Sequence, residues 1–498
     1  MIRSVLLCAS LAAALIVAPQ AAGAQTRAAP PAAATPARAV VTRHSLTLGG
    51  ARVAYDAVVA ETVVAAPEGT GEATIVTTAY LRADVPTTDR PVLFIFNGGP
   101  GASTTPLHFG AFGPMQRLGE GEAQYLAPNA HSLIDAVDLV FIDPTGTGYS
   151  RPQDPSQDGG APFWSRTGDA RSVAEVIERW LATHDRAASP RYLLGQSYGT
   201  VRAAEITRVA PELRFDGVLL FALVPGERSG PLAYMSSLPS YAATAWLHDR
   251  IDRRGRSVEQ VYDEAVRFAR TDYVSALIQG GALPADEKTV IARRLADLTG
   301  LPAALIEEHD LKIDNRLFMF NLLADQGLRT GQLDTRATAR LDAPAKQPPH
   351  DDPGLSYAPE ASRAIARGQS VFRASDGGSV VDAYYREKLN YRADDAYQAL
   401  NLRVNSAWNH EGFKDAMPYL AEAMKRDPDM RLFWAAGYYD LSTPAYGGRY
   451  TLDQAGVPAD RLTAAYFASG HSVFVEDRNL AALAQAVRRF MRVSDEGR

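Results

Sequence analysis

Hydrophobic and polar positions alternate clearly in one early part of the chain and almost nowhere else. Residues 52–64 and 73–81 are dense in β-branched side chains, and in the second run Thr74, Val76 and Thr78 oppose Ile75, Thr77 and Ala79. That period of two predicts an antiparallel hairpin, placed at a sheet edge. The other apolar runs are short, unbroken and closed by Gly or Pro: 92–96, 139–142, 192–194, 217–221, 432–435 and 464–467. Unbroken apolarity is what strands covered on both faces of a parallel sheet require. Helical spacing fills several of the intervals, at 171–181, 200–209 and 480–491. Strand and helix therefore alternate, and the expected class is α/β with a mainly parallel central sheet.

The interval 231–429 breaks this rhythm and reads as almost wholly helical. Ser257 and Gln260 form a capping box ahead of one amphipathic run, Pro284 precedes another with Gly300 just past its end, and 415–426 shows the same periodicity. This predicts a helical cap inserted between a first core part, 40–230, and a second, 430–498. The middle of the cap, 343–355, is a Pro-rich loop, and 25–39 is an Ala- and Pro-rich linker with little to pack. Residues 1–24 carry Arg3, an apolar stretch over 5–17, and Ala22 and Ala24 before Gln25, the pattern of a cleaved signal peptide. The stretch is shorter than the roughly 20 residues of a membrane span. The expectation is an exported protein, periplasmic or extracellular, with no stable membrane insertion after cleavage.

Composition narrows the chemistry. The 498 residues include 51 Lys and Arg against 57 Asp and Glu, a formal net charge of −6, which argues against nucleic acid as a partner. The one cysteine, Cys8, lies inside the signal, so thiol catalysis, disulfides and thiolate-held metals are excluded from the mature chain. No His-Glu-x-x-His motif or acidic metal cluster occurs, and neither a metal nor a cofactor is expected.

The chemistry is carried by turns at strand ends. Gly195-Gln196-Ser197-Tyr198-Gly199 follows one predicted strand and opens a predicted helix, the context of a nucleophile elbow. A turn this tight strains its central residue, and flanking glycines avoid collisions. Two other Gly-x-Ser sequences, at Ser356 and Ser370, lack the second glycine and the strand. A serine nucleophile needs a base and an orienting acid, which in such folds follow in the order acid, histidine. His471 follows the strand at 464–467, and Asp440 is the one carboxylate in the loop after the strand at 432–435. Ser197, Asp440 and His471 are the expected triad. Asn97-Gly98-Gly99-Pro100-Gly101 follows the strand at 92–96. The Gly99 amide, with that of Tyr198, would form an oxyanion hole.

In order, NGGPG at 97–101, FIDPTGTGYS at 141–150, GQSYG at 195–199, GYYDLSTP at 437–444 and Gly470-His471 resemble the serine carboxypeptidase family, carboxypeptidase Y type. The resemblance extends through the insertion, where Gly331 to Arg336 (GQLDTR) and the run ending at Trp408 are similar to cysteine-poor, secreted bacterial members. It implies an α/β-hydrolase fold, a peptide substrate and release of C-terminal residues through an acyl-enzyme, with Asn97 donating to the substrate carboxylate. Family members usually carry a pair of glutamates that bind this carboxylate in acid; here the positions hold Gln196 and Ala111. A glutamine amide can donate without being protonated, so Gln196 is a second expected carboxylate ligand. Other α/β-hydrolase activities (esterase, acyltransferase, proline aminopeptidase) and a catalytically dead binding protein are the alternatives.

Overall fold

In chain order the strands are β1 (Arg38–Leu48), β2 (Ala51–Ala65), β3 (Glu72–Arg82), β4 (Val92–Phe96), β5 (Met115–Leu118), β6 (Tyr125–Pro128) and β7 (Asp138–Ile142). They continue with β8 (Arg151–Pro152), β9 (Arg191–Gln196), β10 (Gly217–Phe221), β11 (Leu328–Thr330), β12 (Thr338–Arg340), β13 (Arg431–Gly437) and β14 (Leu462–Phe467). This computed structural model describes residues 36–495 apart from 68, 88, 120–122, 157, 344–351, 357–370 and 375–378. The expected signal peptide 1–24, residues 25–35 of the expected linker and most of the Pro-rich loop lie outside the described residues.

One sheet runs β1-β2-β3-β7-β4-β9-β10-β13-β14, with β8 paired to β3. β1, β2, β3 and β7 pair antiparallel, and every pairing from β7 through β14 is parallel. The β2–β3 hairpin forms, with Tyr55 opposite Arg82 and Ala65 opposite Glu72. It is interior, however, not at the edge. β1 covers its outer side, pairing from Arg38 opposite Glu61 to Leu48 opposite Ala51, so Arg38 and Ala39 belong to a strand and not to a linker. Only Leu46 and Leu48 of β1 are buried, which is why its polar-rich sequence hides a strand.

The unbroken apolar strands are two-faced. On β4, Val92, Phe94 and Phe96 enter one apolar cluster, while Leu93 and Ile95 enter another on the opposite side of the sheet. Helices Arg166–Thr183, Tyr198–Val209 and Met417–Arg426 pack on the first side, and Val380–Glu387 and Asp477–Asp495 on the second. Most β-carbons of the parallel strands are thereby out of water, and burial of this kind contributes about 25 cal/mol per Å² of apolar area. A mostly parallel sheet clad on both faces, with Ser197 at a strand-to-helix turn, is the α/β-hydrolase fold.

The interval 231–429 divides by packing. Helices from Pro231–Leu247 to Asn315–Asn321 share a separate apolar cluster that includes Leu238, Val261, Leu295 and Phe318. The Ser257–Gln260 capping box is present, and helix Ala285–Thr299 ends on Gly300 in the left-handed conformation. Among the described residues from Leu328 to Ser379 the chain is largely irregular around the β11–β12 ribbon, so helix does not fill the whole interval. Residues 380–426 return to the two faces of the main sheet. Among the described residues no helix is long and apolar enough to cross a membrane.

Candidate active site

β9 ends at Gln196 and helix Tyr198–Val209 begins two residues later, leaving Ser197 to make the whole turn at φ 58° and ψ −129°. A positive φ on a residue with a β-carbon is costly and persists only where neighbours enforce it. Here Ser197 N donates to Phe221 O at 2.9 Å, and Thr200 N and Oγ1 both donate to Ser197 O, at 2.8 and 2.7 Å. A β-carbon on Gly195 would stand 2.0 Å from Gly199 O, which is why glycine precedes the serine by two.

Asp440 and His471 meet at the C-terminal ends of β13 and β14. His471 Nδ1 lies 2.8 Å from Asp440 Oδ2, with the carboxylate 1% and the imidazole 14% exposed. Asp440 Oδ1 accepts from Ser442 N at 2.8 Å and Thr443 N at 3.0 Å, and Oδ2 accepts from Thr443 Oγ1 at 2.5 Å. Such donors orient the buried carboxylate. Burial of His471 opposes protonation, but Asp440 in contact and Asp352 and Asp334 nearby outweigh it, so its pKa is raised above the ordinary imidazole value. Among the described residues no hydrogen bond joins Ser197 Oγ to this imidazole; bonds of this kind are commonly loose before substrate binds. The two loops do touch, because Gln196 Nε2 donates to His471 O and Ser472 Oγ, both at 3.2 Å.

Asn97 and Gln196 are brought together and both are buried. Asn97 Nδ2 donates to Gln196 Oε1 at 2.7 Å, and Asn97 Oδ1 accepts from Leu107 N at 3.3 Å. The Gln196 amide is thus engaged at both ends. Ala111, at the other departure from the family pattern, is buried in a helical turn, His108–Phe112. The glycine turn presses against the elbow: a β-carbon on Gly98 would lie 2.3 Å from Tyr198 N. Among the described residues neither the Gly99 nor the Tyr198 amide donates to a carbonyl outside its own element. Tyr198 itself is fixed by Trp408, whose Nε1 donates to its hydroxyl at 3.2 Å.

Sequence reasoning passed over three groups. Arg202, one turn into the elbow helix, donates to Asn97 O and, through Nε, to Asp169 Oδ2 at 2.6 Å. This buried pair props the glycine turn from below. Arg228 follows β10 and donates to Ser236 Oγ at 2.9 Å, with no carboxylate within salt-bridge distance among the described residues. The third is the segment 331–336, which the sequence offered only as part of the family resemblance and with no role in the site. Nothing local marks the first, since helix Tyr198–Val209 also carries Glu205 and Arg208, and nothing local marks the second. No group of three or more His, Cys, Asp or Glu able to hold a metal ion occurs among the described residues. A cavity of about 360 Å³, lined by Thr207, Pro211, Glu212, Arg214, Arg426 and Met430, lies at the far end of the elbow helix, away from this chemistry.

The serine carboxypeptidase family model matches residues 79–209, which contain the glycine turn and the elbow. Serine carboxypeptidase-like 9 of Arabidopsis thaliana is 28% identical over 124 residues, 24% of this chain and 27% of that relative. Serine carboxypeptidase-like 16 of the same plant is 33% identical over 118 residues, 23% of this chain and 26% of the relative. The chain thus matches about a quarter of the length of these curated relatives. Among solved structures, the prohormone-processing carboxypeptidase Kex1Δp of Saccharomyces cerevisiae superposes with a TM-score of 0.52 at 14% identity, covering 88% of this chain and 91% of that one. That likeness is one of fold. At the family level the matches support a serine carboxypeptidase-type hydrolase.

Proposed function

We propose that this chain is an exported serine peptidase that removes C-terminal residues from peptides through a Ser197-Asp440-His471 triad. The observation that carries the reading is the Asp440–His471 bond at two neighbouring strand ends, its histidine in a loop that Gln196, the residue before a serine held at positive φ, bonds at His471 O and Ser472 Oγ. In this reading His471 Nε2 takes the Ser197 hydroxyl proton as Oγ attacks the scissile carbonyl. Asp440 holds the tautomer with its proton on Nδ1 and stabilises the imidazolium. The Gly99 and Tyr198 amides donate to the oxyanion, each such donor being worth about 10²–10³ in rate. His471 returns the proton to the departing amine, and water then cleaves the acyl-serine by the same steps reversed. Since only neutral His471 serves as base, activity rises with pH through a limb lying above the ordinary imidazole value and reaches a neutral-to-alkaline plateau.

Asn97 is the proposed reader of the substrate carboxylate, because Nδ2 carries a second hydrogen beyond the one given to Gln196. Gln196 was expected to share that task. Its own donors already serve His471 O and Ser472 Oγ, an observation that favours the second reading, an α/β-hydrolase acting on esters or acyl groups without regard to a free C-terminus. One comparison separates them: kcat/KM on an N-blocked dipeptide with a free and with an amidated C-terminus. Carboxypeptidase action predicts a loss of roughly 10- to 150-fold on amidation, the worth of a charge-assisted hydrogen bond. Equal rates, together with turnover of p-nitrophenyl esters, select the second reading.

A further inference from the structure

The segment Gly331 to Arg336 comes from the insertion, yet it is threaded between the loops that carry Asp440 and His471. Its main chain bonds them alternately. Leu441 N donates to Gln332 O at 2.9 Å, His471 N to Leu333 O at 2.7 Å, and Thr335 N to Tyr439 O at 3.0 Å. Its side chains close the gap. Arg336 donates to Asp334 through Nε and Nη2, at 2.9 and 2.7 Å, to Ser469 Oγ at 3.0 Å and to Ala468 O at 3.3 Å, and it pairs with Glu476. The Asp334 carboxylate lies so close to the residue before His471 that a β-carbon on Gly470 would be 2.5 Å from Asp334 Cγ. The segment is itself anchored at both ends. Asp352 accepts from Gln332 N and Leu333 N at 3.1 and 2.9 Å. Thr335 bonds Thr244 Oγ1 at 2.8 Å and His248 Nε2 at 2.7 Å, on and next to helix Pro231–Leu247.

We infer that this segment is a strap that sets the position of the base against the acid, with Arg336 and Asp334 as positioning residues that also tune the field at His471. The inference rests on reading Asp440 and His471 as acid and base. The physical argument is one of reach. β13 and β14 are parallel neighbours whose C-terminal loops are joined just past the ladder by Tyr438 N to Phe467 O at 3.0 Å and Tyr439 N to Ser469 O at 2.9 Å; among the described residues no main-chain bond joins the loops at Asp440 and His471 themselves, which leaves freedom there. A third segment bonded to both removes that freedom, and a misplacement of about 1 Å at a catalytic group can cost about 10²-fold. The charges facing His471 are Asp440, Asp334 and Asp352, with Arg336 and Glu476 behind Asp334. Arg336 offsets Asp334, the one of these two further carboxylates that belongs to the strap. Because the strap is tied to helix Pro231–Leu247, a shift of the cap helices is transmitted to the base.

The experiment follows covalent labelling of Ser197 by a fluorophosphonate against pH, in full-length protein, since this readout needs no knowledge of the substrate. Asp334→Asn and Asp352→Asn each remove a negative charge near His471 and move the acid limb down, by about half a pH unit, so labelling below the limb is about threefold faster. Arg336→Met leaves Asp334 without its cation and Glu476 with Arg478 alone, and moves the limb up by a similar amount, with a lower plateau rate. A merely structural strap lowers yield or Tm and leaves the limb where it was. Should Arg336→Met or Asp334→Asn fail to fold, Asp352→Asn decides, because its amide oxygen still accepts from the two strap amides. An unmoved limb in every folded variant overturns the inference; absence of Ser197 labelling in the unmodified protein overturns the hydrolase reading instead.

Discussion

The proposed nucleophile end and the proposed acid–base end of this site are built in opposite ways. Ser197 is fixed by its own strand and helix: the strain, the glycine at 195 and the bonds to Phe221 O and from Thr200 all lie within or beside one β-turn-α unit. Asp440 and His471 sit in loops without such a unit, and partners from the insertion and from β9 hold them. One end stores strain in backbone that the parallel sheet over-determines. The other relies on a hydrogen-bonded network assembled from distant chain segments. Local stereochemistry holds the proposed nucleophile rigidly, whereas the proposed base would be adjusted by whatever moves the strap.

The sharpest tests strike each end directly. Ser197→Ala and His471→Ala are each expected to lower turnover by about 10⁶, and the double variant by little more, since the residues act as a unit. Steady-state rates in a preparation free of other hydrolases check this, and near-normal turnover by Ser197→Ala removes the assignment. Asp440→Asn is expected to cost about 10⁴ in kcat through the wrong imidazole tautomer, with an unchanged circular dichroism spectrum.

A third test asks whether the nucleophile end is self-contained. Arg202→Met leaves Asp169 buried without its cation, and breaking a buried pair in this way costs about 3–5 kcal/mol of stability, read from the denaturant midpoint. Burial already pushes the Asp169 pKa up against the pull of Arg202, so in the variant the carboxyl takes up a proton and stability is recovered partly toward acid. The smallest effect concerns Gln196, whose side chain joins the two ends. Gln196→Glu sets an oxygen where Nε2 now donates to His471 O and Ser472 Oγ. At neutral pH the lost donor is expected to lower kcat/KM by roughly 5- to 150-fold. In acid the protonated carboxyl donates again, so the optimum shifts downward; identical pH profiles for the two proteins would show that Gln196 links nothing.

Much of this molecule could be read along the chain because the decisive physics was local. Unbroken apolar runs marked β4, β7, β9, β10 and β13, since a strand clad on both faces has no polar side to show; β14 carries such a run too, although it lies at the sheet edge and is half exposed. Glycines at 195 and 199 marked the elbow through steric exclusion, and an acid and a histidine just past two strands marked the remaining loops. β1 escaped notice because an edge strand with Arg, Thr, His and Ser among its residues has the composition of a linker. Its pairing with β2 also made the hairpin interior. What tertiary structure alone decided is what each donor reaches. Nothing near Gln196 in sequence says that its amide spans Asn97 and the His471 loop. Nothing near Leu333 says that its carbonyl takes the His471 amide. A hydrogen bond between segments far apart in sequence leaves no periodicity, cap or turn residue to read; it exists only once the sheet has set the loops side by side and the insertion has folded back between them.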